Sequence, residues 1–181
     1  MTTHPVEVLM REHRLIEQVL AALEQRLTTL EARPFPREFF ERTLEFFRAF
    51  ADGCHHHKEE ECLFPAMEAR GVPRHGGPIG VMLHEHEIGR AHLRGIRENL
   101  EAAEGGSAAA VAAIRREATG YIELLRQHIL KEDNILFRMA RMVLPPEDVV
   151  RLDPEFQTGE EHDRWAEVAE ELTRDAAPVG G

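Results

Sequence analysis

The chain has 181 residues, which suits a single domain with a substantial core. Hydrophobic residues make up 43% of the sequence, which argues against disorder over most of its length. The formal net charge of -11 argues against a nucleic-acid-binding protein, because binding phosphates requires a basic surface.

Four long segments show helical periodicity and are separated by Pro- and Gly-rich breaks. They run from about 6 to 31, 37 to 70, 79 to 104 and 108 to 143. Short connections make consecutive helices antiparallel, so the sequence predicts an all-α fold, an up-down-up-down four-helix bundle over residues 1–144. Residues 145–181 are predicted to form a C-terminal extension, with a short amphipathic helix from about 159 to 174 and a disordered Gly/Pro tail.

Targeting signals and disulfides are not indicated by the sequence. The first residues, MTTHPVEVLMREH, lack the basic region and apolar run of a signal peptide. No stretch approaches the roughly 20 apolar residues that span a bilayer. Cys54 and Cys62 lie on one predicted helix about 12 Å apart, too far for a disulfide. We therefore expect a cytoplasmic protein with no membrane or nucleic-acid partner.

The apolar seam of each long helix is interrupted by a histidine, and in two helices by a glutamate one turn later. These six residues are His13, His55, Glu59, His86, His128 and Glu132. A single histidine in a core is ordinarily held by hydrogen bonds alone. Six polar seam residues are costly to bury unless they bind a metal, so a metal site is the preferred interpretation.

The positions of these residues along the bundle support one shared site. His13 and His86 each lie seven residues after the start of a predicted helix. The other four lie roughly two to four turns before the ends of theirs. In an antiparallel bundle these positions are at the same end, so all six side chains can meet in one layer.

The chemistry of the set predicts the metal. Imidazole and carboxylate without thiolate suit iron, manganese or zinc. Six ligands exceed the needs of a tetrahedral structural zinc site. Two carboxylates can bridge two metals about 3.5–4 Å apart and leave a position open for a small ligand. The sequence therefore predicts two iron ions, with zinc or manganese ranked lower.

Four motifs in a fixed order resemble those of one known family. They are Glu12-His13-Arg14, His55-His56-His57-Lys58-Glu59-Glu60 before Leu63-Phe64-Pro65, Glu85-His86-Glu87, and His128-Ile129-Leu130-Lys131-Glu132 before Ile135-Leu136-Phe137. The pattern resembles the hemerythrin-like HHE cation-binding family over residues 6 to about 142. The resemblance implies that the six seam residues hold an oxo- or hydroxo-bridged di-iron centre, with both glutamates bridging.

The sequence also departs from the oxygen-carrying hemerythrins. Their third helix carries two histidines four residues apart, whereas Arg90 stands four residues after His86. Four histidines rather than five resemble the bacterial branch that includes the iron–sulfur cluster repair proteins. The oxygen carriers place an aspartate five residues after the last histidine, and Asp133 stands there. Asp133 is therefore an alternative to Glu132.

Four other polar or reactive residues lie on or near the seams, and the sequence favours a structural role for most of them. His56 and His57 lie about 100° and 200° around the helix from His55, which predicts a solvated face for both. Tyr121 lies on the seam, where core packing and a hydrogen bond near the metals are both open. Cys62 lies on the seam one turn beyond Glu59 and is predicted to be a small buried hydrophobe.

Two classes of function follow from such a site. The favoured one is a protein that binds or senses oxygen, nitric oxide or peroxide, with an unidentified protein partner reading the signal. The alternative is an iron-handling or redox enzyme, for iron–sulfur cluster repair or for peroxide or nitric oxide detoxification. A metal site with a purely structural role is a third interpretation. A dedicated enzyme is less favoured, because no substrate pocket is apparent beyond the metal mouth.

The C-terminal helix carries an apolar stripe that must be covered. The stripe contains Trp165, Val168, Ala169 and Leu172. We expect this helix to dock near the metal mouth as a lid. The alternatives are packing along the outside of two helices and a dimer contact.

Overall fold

The computed structural model describes residues 3–31 and 34–176, and within these ranges the chain forms helices and no strands. Helix α1 is Pro5–Leu27 and α3 is Pro78–Glu104. Helix α2 joins Arg37–Phe46, the π-helical segments Phe47–His56 and Glu59–Leu63, and Phe64–Ala69. Helix α4 joins Ala108–Lys131, the π-helical Glu132–Leu136 and Phe137–Val143. Helix α5 is Pro146–Leu152, followed by the 3₁₀ turn Asp153–Phe156, and α6 is Glu160–Ala176.

The first four helices pack as consecutive neighbours, and α4 also packs against α1. The predicted all-α four-helix bundle is thereby confirmed. None of the described helices is long and apolar enough to cross a membrane. The domain boundary at residue 144 stays a prediction, and the Gly/Pro tail from 177 onward lies outside the described residues.

Local chemistry explains where the helices begin. The His4 side chain accepts a hydrogen bond from the Val6 amide at the start of α1, and the Ser107 side chain does the same for Ala110 at the start of α4. The connection between α3 and α4 turns at Gly106, whose φ of 94° favours glycine. This tight turn keeps α3 and α4 antiparallel neighbours.

The two short π-helical segments begin at Glu59 and Glu132, and they change the register of the core. At 3.6 residues per turn the predicted seam would continue from Glu59 to Cys62 and from Glu132 to Ile135. The structure instead buries Leu63 and Leu136 and leaves Ile135 55% exposed. The prediction was wrong because it assumed 3.6 residues per turn. A π-helical turn pairs residues i and i+5, so one extra residue is inserted before the seam resumes.

The core consists of two apolar clusters along the bundle, and the polar seam residues lie between them. The larger cluster includes Leu20 of α1 and Phe47 of α2. The smaller cluster includes Leu9, Leu63 and Phe137. The polar layer is therefore closed to water on both sides along the bundle axis.

Helix α6 does not form the expected lid. Its Trp165 ring packs 5.9 Å from the ring of Phe46 and 6.5 Å from that of Phe50, both in the larger cluster. Asp175, near its end, accepts a hydrogen bond of 2.9 Å from Arg42 of α2. The stripe is thus covered along the outside of α1 and α2, which was the alternative interpretation.

A different part of the extension closes the end of the bundle near the polar layer. Leu152 of α5 and Phe156 of the 3₁₀ turn are buried in the smaller cluster with Val6 and Leu9. The sequence pattern did not predict helical structure between 145 and 158. A cover there explains why the apolar stripe of α6 was free to pack elsewhere.

The register change can be tested with two neighbouring substitutions. Leu136→Ala should lower the free energy of unfolding by about 2–5 kcal/mol, because it removes a fully buried side chain. Ile135→Ala should cost less than about 1 kcal/mol, because its side chain is largely exposed. Urea denaturation of both variants measures the difference. Equal costs, or a larger cost at Ile135, would show that α4 continues as a regular α-helix.

Candidate metal centre

Glu132 lies between two of the predicted histidines. One carboxylate oxygen, Oε2, is 3.1 Å from His13 Nε2, and the other, Oε1, is 3.2 Å from His128 Nε2. The side chain is completely buried. Neither oxygen makes a hydrogen bond, and neither does His13 Nε2.

Glu59 occupies the corresponding position between the other two histidines. Its Oε1 is 3.6 Å from His55 Nε2, and its Oε2 is 3.5 Å from His86 Nε2. This side chain is also completely buried, and both oxygens lack hydrogen bonds. The structure therefore brings all six predicted residues into one layer.

The inward-facing atoms fall into two groups, in each of which all atoms lie within 4.8 Å of one another. One group is His13, His55, Glu59 and Glu132, and the other is His56, Glu59, His86 and His128. His86 Nε2 and His128 Nε2 are 3.1 Å apart. Two adjacent ligands about 2.1 Å from one metal at a right angle would be about 3 Å apart. Each group can therefore surround one metal ion.

Each of the four predicted histidines is oriented by a carboxylate from a neighbouring helix. The Nδ1–H of His55 donates to Glu12 at 2.9 Å, and that of His86 donates to Glu60 at 2.6 Å. In the same way, His128 donates to Glu85 at 2.9 Å, and His13 donates to Asp133 at 2.7 Å. The four bonds link α1 with α2, α2 with α3, α3 with α4, and α4 with α1. Their carboxylates therefore form a closed ring around the bundle, called the carboxylate ring below. Because an ionised carboxylate only accepts, each Nδ1 carries a hydrogen, and each Nε2 is directed at the inner layer.

Cations stand behind the carboxylate ring. Lys58 binds Glu12, Lys131 binds Glu85 and Arg14 binds Asp133, while Arg90 donates to Glu60 at 2.9 Å. Burial opposes the charge on Glu12, but the contacts with His55 and Lys58 outweigh it and hold its pKa at about 2. The pKa values of Glu60 and Glu85 are lowered as well, by contacts with His86 and Arg90 and with His128 and Lys131 that outweigh burial, and the charge on these glutamates strengthens the orientation of the imidazoles.

Asp133 belongs to this carboxylate ring and not to the inner layer. It lies on the Nδ1 side of His13 and contacts Arg14, whereas Glu132 lies on the Nε2 side. Tyr121 is buried against Phe47, with ring centroids 4.8 Å apart. Burial raises the pKa of its hydroxyl. The hydrogen bonds of the four predicted histidines go to residues other than Tyr121, and its role near the metals stays a prediction.

His56 is the residue that the sequence interpretation misplaced. It is buried, and its ring stacks on that of His86 with centroids 3.8 Å apart. The prediction of a solvated face was wrong because residues 47–56 are π-helical, so the angle between consecutive residues differs from the assumed 100°. His57 is exposed, as predicted.

Gly53 lies within this π-helical turn. A Cβ at Gly53 would lie only 3.2 Å from the carbonyl oxygen of Arg48, five residues earlier. The absence of a side chain therefore permits the close approach of the two turns.

An internal repeat in the sequence could have strengthened the prediction. The equivalent residues of the two helical hairpins differ by 73 in number, as His13 and His86 do. The same difference relates Glu12 to Glu85, His55 to His128, Lys58 to Lys131, Glu59 to Glu132, Glu60 to Asp133, Leu63 to Leu136 and Phe64 to Phe137. Both short π-helical segments obey it too. The two hairpins therefore form two similar halves of one site.

The electrostatics of the inner layer favour a cation. Burial and the negative charge of Glu132 raise the pKa of Glu59 well above its usual value. Burial also opposes the charge on Glu132, but His128 and His13 outweigh it and hold its pKa well below the usual value. Two buried carboxylates without hydrogen bonds, surrounded by inward imidazole nitrogens, fit metal ions that would replace the protons.

Comparison with known proteins identifies similar chains. The family model described as hemerythrin HHE cation binding domain matches residues 4–140. The iron-sulfur cluster repair protein DnrN of Neisseria gonorrhoeae is 34% identical over 131 residues, which cover 69% of this chain and 80% of that protein. No solved structure matches.

Longer relatives occur in mycobacteria. Uncharacterized proteins of Mycobacterium tuberculosis and Mycobacterium bovis are each 25% identical over 162 residues, which cover 89% of this chain. The chain spans 62% of the length of these relatives. Their similarity extends beyond the family match into the region of α5 and α6, since 162 residues exceed the matched range.

The uncompensated charge of the inner layer can be tested in the metal-free chain. Glu59→Gln keeps the side-chain shape but buries no charge. With a chelator present to remove metal, this variant should have a free energy of unfolding about 1–3 kcal/mol higher than wild type near pH 8. Because folding raises the pKa of Glu59, wild-type stability should fall as the pH rises above the ordinary value of 4.5, and this contribution should vanish in the variant.

Chemical denaturation over a range of pH values measures this effect. Glu61→Gln is the matched control, because Glu61 is exposed on the same helix. The interpretation fails if both variants respond alike, or if Glu59→Gln destabilises the metal-free chain.

Proposed function

The chain belongs to the hemerythrin HHE cation-binding family, and from this premise we propose that it holds two iron ions that bind or sense oxygen, nitric oxide or peroxide. His13 and His55 would bind one iron, and His86 and His128 the other. Glu59 and Glu132 would bridge the two. Bound iron supplies reversible redox chemistry and a coordination position for a small ligand.

One observation carries this proposal: the four oxygens of Glu59 and Glu132 are buried without a hydrogen bond. A buried carboxylate that lacks hydrogen bonds is strongly disfavoured unless a cation faces it. In each glutamate, one carboxylate oxygen lies near a histidine of the first proposed metal, and the other oxygen lies near a histidine of the second. This is the arrangement that a bridging carboxylate requires, and it supports two metals over one.

The ligand types support iron. The two inner groups contain imidazoles and carboxylates, and neither includes Cys54 or Cys62. Such donors suit iron, manganese or zinc, whereas sulfur donors would favour softer metals. Paired carboxylate bridges exceed what a structural zinc requires. Iron is therefore the first choice, and manganese and zinc are alternatives that metal analysis distinguishes.

The surroundings favour a small ligand over an organic substrate. Phe137 stacks on His13 with centroids 5.4 Å apart, and Phe64 lies 6.4 Å from His86 in a similar orientation. These rings and the smaller apolar cluster cover the layer at the end of the bundle that α5 closes. Such a shell excludes bulky and charged molecules but lets small neutral molecules diffuse in. Binding or sensing therefore fits better than an enzyme acting on an organic substrate.

A second candidate is iron handling in cluster repair. The relative from Neisseria gonorrhoeae carries the name iron-sulfur cluster repair protein, and its similarity covers 69% of this chain. A repair role would require iron to leave the site readily, whereas a binding role requires iron to stay during ligand exchange. The rate of iron transfer to a chelator, with and without a reductant, separates these roles. A cytoplasmic location and a protein partner stay predictions.

Metal analysis of protein from iron-replete cells tests the proposal. We expect about two irons per chain and a visible spectrum that changes with oxygen or nitric oxide. His55→Ala should lose at least half of the iron, because it removes an inward imidazole and leaves buried carboxylates uncompensated. His57→Ala, on the exposed face, should keep both irons. One zinc per chain without iron would contradict the proposal, and so would iron loss in His57→Ala alone.

A further inference from the structure

An apolar patch lies uncovered on α3 and α4, at the end of the bundle that holds the metal layer. Five large hydrophobic side chains are exposed in the described part of the chain, and four of them are Val81, Leu130, Ile135 and Met142. Val81 lies near the start of α3, and the other three lie near the end of α4. Because α3 and α4 are antiparallel, these positions are at the same end of the bundle.

The pairing of α3 with α4 places Val81 opposite Ile135. Glu85 of α3 binds Lys131 of α4. Val81 lies about one turn before Glu85, and Ile135 lies about one turn after Lys131, in the same direction along the bundle. Met142 lies seven residues beyond Ile135, which returns to the same face of a helix. Val81, Ile135 and Met142 are called the apolar patch below.

The internal repeat identifies an equivalent surface on the first hairpin, and there the C-terminal extension covers it. Val8 and Cys62 stand 73 positions before Val81 and Ile135. Val8 is 2% exposed and lies in the smaller apolar cluster with Phe156, and Cys62 packs against that cluster. The 3₁₀ turn that contains Phe156 packs on α1. The same position in the fold is therefore covered on one hairpin and open on the other.

Elsewhere on the second hairpin, positions that lack a cover are polar. Trp165 of α6 packs on Phe46 and Phe50 of α2. The residues 73 positions later, on α4, are Thr119 and Glu123, and both are exposed. Polar side chains are the ordinary occupants of an uncovered helix face. The apolar patch departs from this pattern, which points to a cover supplied from outside the described residues.

We propose that the apolar patch binds a short acidic amphipathic helix of a partner protein. The segment 146–156 shows the chemistry that fits such a surface. Its Leu152 and Phe156 lie four residues apart, and both are buried in the smaller apolar cluster with Val8. A partner helix with a leucine and an aromatic residue at this spacing would bury the apolar patch in the same way.

Charge specifies the polar face of the partner helix. On the covered surface, burial and the nearby carboxylate of Glu155 raise the pKa of the Cys62 thiol, so an acidic residue lies close to the equivalent of Ile135. Arg138 lies three residues after Ile135, is exposed, and binds no carboxylate within residues 3–31 and 34–176. An acidic residue on the docked helix would pair with this guanidinium.

The docked helix would lie beside the metal centre without entering it. Glu85, which orients His128, binds Lys131 at the edge of the apolar patch. A partner at this position would cover that part of the carboxylate ring from outside. The docking site is separate from the ligand-binding function proposed above and does not require a particular metal.

Fluorescence anisotropy of a labelled peptide tests the docking site. The probe is a synthetic acidic helix of about 15 residues with a leucine and a phenylalanine four residues apart, titrated with the full chain. Wild type should bind it saturably, and Ile135→Glu should bind it about tenfold or more weakly, because a charge replaces an apolar contact. Val150→Glu is the matched control, because Val150 is exposed on α5 outside the patch. Absence of saturable binding, or equal losses in the two variants, would overturn the proposal.

A pair of charge reversals tests the acidic character of the partner. Arg138→Glu should weaken binding of the same peptide by about tenfold, because it replaces attraction with repulsion. Arg164→Glu changes the net charge equally on exposed α6 and should have little effect. Equal weakening by both reversals would contradict a local pairing at Arg138.

Sedimentation of the chain without peptide distinguishes a second copy from a partner protein. A wild type that dimerises while Ile135→Glu stays monomeric would show that a second copy covers the patch, and would overturn the proposal. A monomeric wild type that binds the peptide supports it. Iron is measured in the same samples. Fewer than two irons per chain would contradict the proposed function, whereas the peptide titration alone decides the docking site.

Discussion

Negative charge buried at the centre of the bundle is the constraint on which the rest of the structure depends. Glu59 and Glu132 lie in a completely buried layer between two apolar clusters and make no hydrogen bonds. Such groups are tolerated only where positive charge compensates them. The inward imidazoles surround this charge, the carboxylate ring binds the imidazoles from outside, and the lysine and arginine side chains bind the carboxylates in turn. The fold can be understood as the means of holding these layers in register.

Most of this order occurs twice, once in each helical hairpin. Each helical hairpin supplies two histidines, an inner glutamate and its share of the carboxylate ring, at positions that differ by 73. The short π-helical segments that begin at Glu59 and Glu132 repeat as well. The differences between the halves therefore stand out. They are concentrated around His56, where one hairpin has a buried imidazole and the other has Ile129.

Much of the fold and site was predictable from the sequence because helical periodicity and buried polar residues are strong signals. The four long helices and the layer of six residues were predicted from them. Periodicity failed where the helix itself changes: Leu63 and His56 are buried because π-helical turns shift the register, and no 3.6-residue pattern contains that shift. The position of α6 also could not be predicted, because an apolar stripe such as that around Trp165 does not specify which surface covers it.

The closed path of the carboxylate ring has a consequence for assembly. Each helix both provides a carboxylate to one neighbour and receives one from the other, as α1 does through Glu12 and His13. A hairpin alone contains only one of these bonds and leaves the others open. Withdrawal of any helix would break the ring in two places and leave an imidazole on one neighbouring helix and a carboxylate on the other without a partner. The complete layer therefore forms only when all four helices are in place and α4 packs against α1.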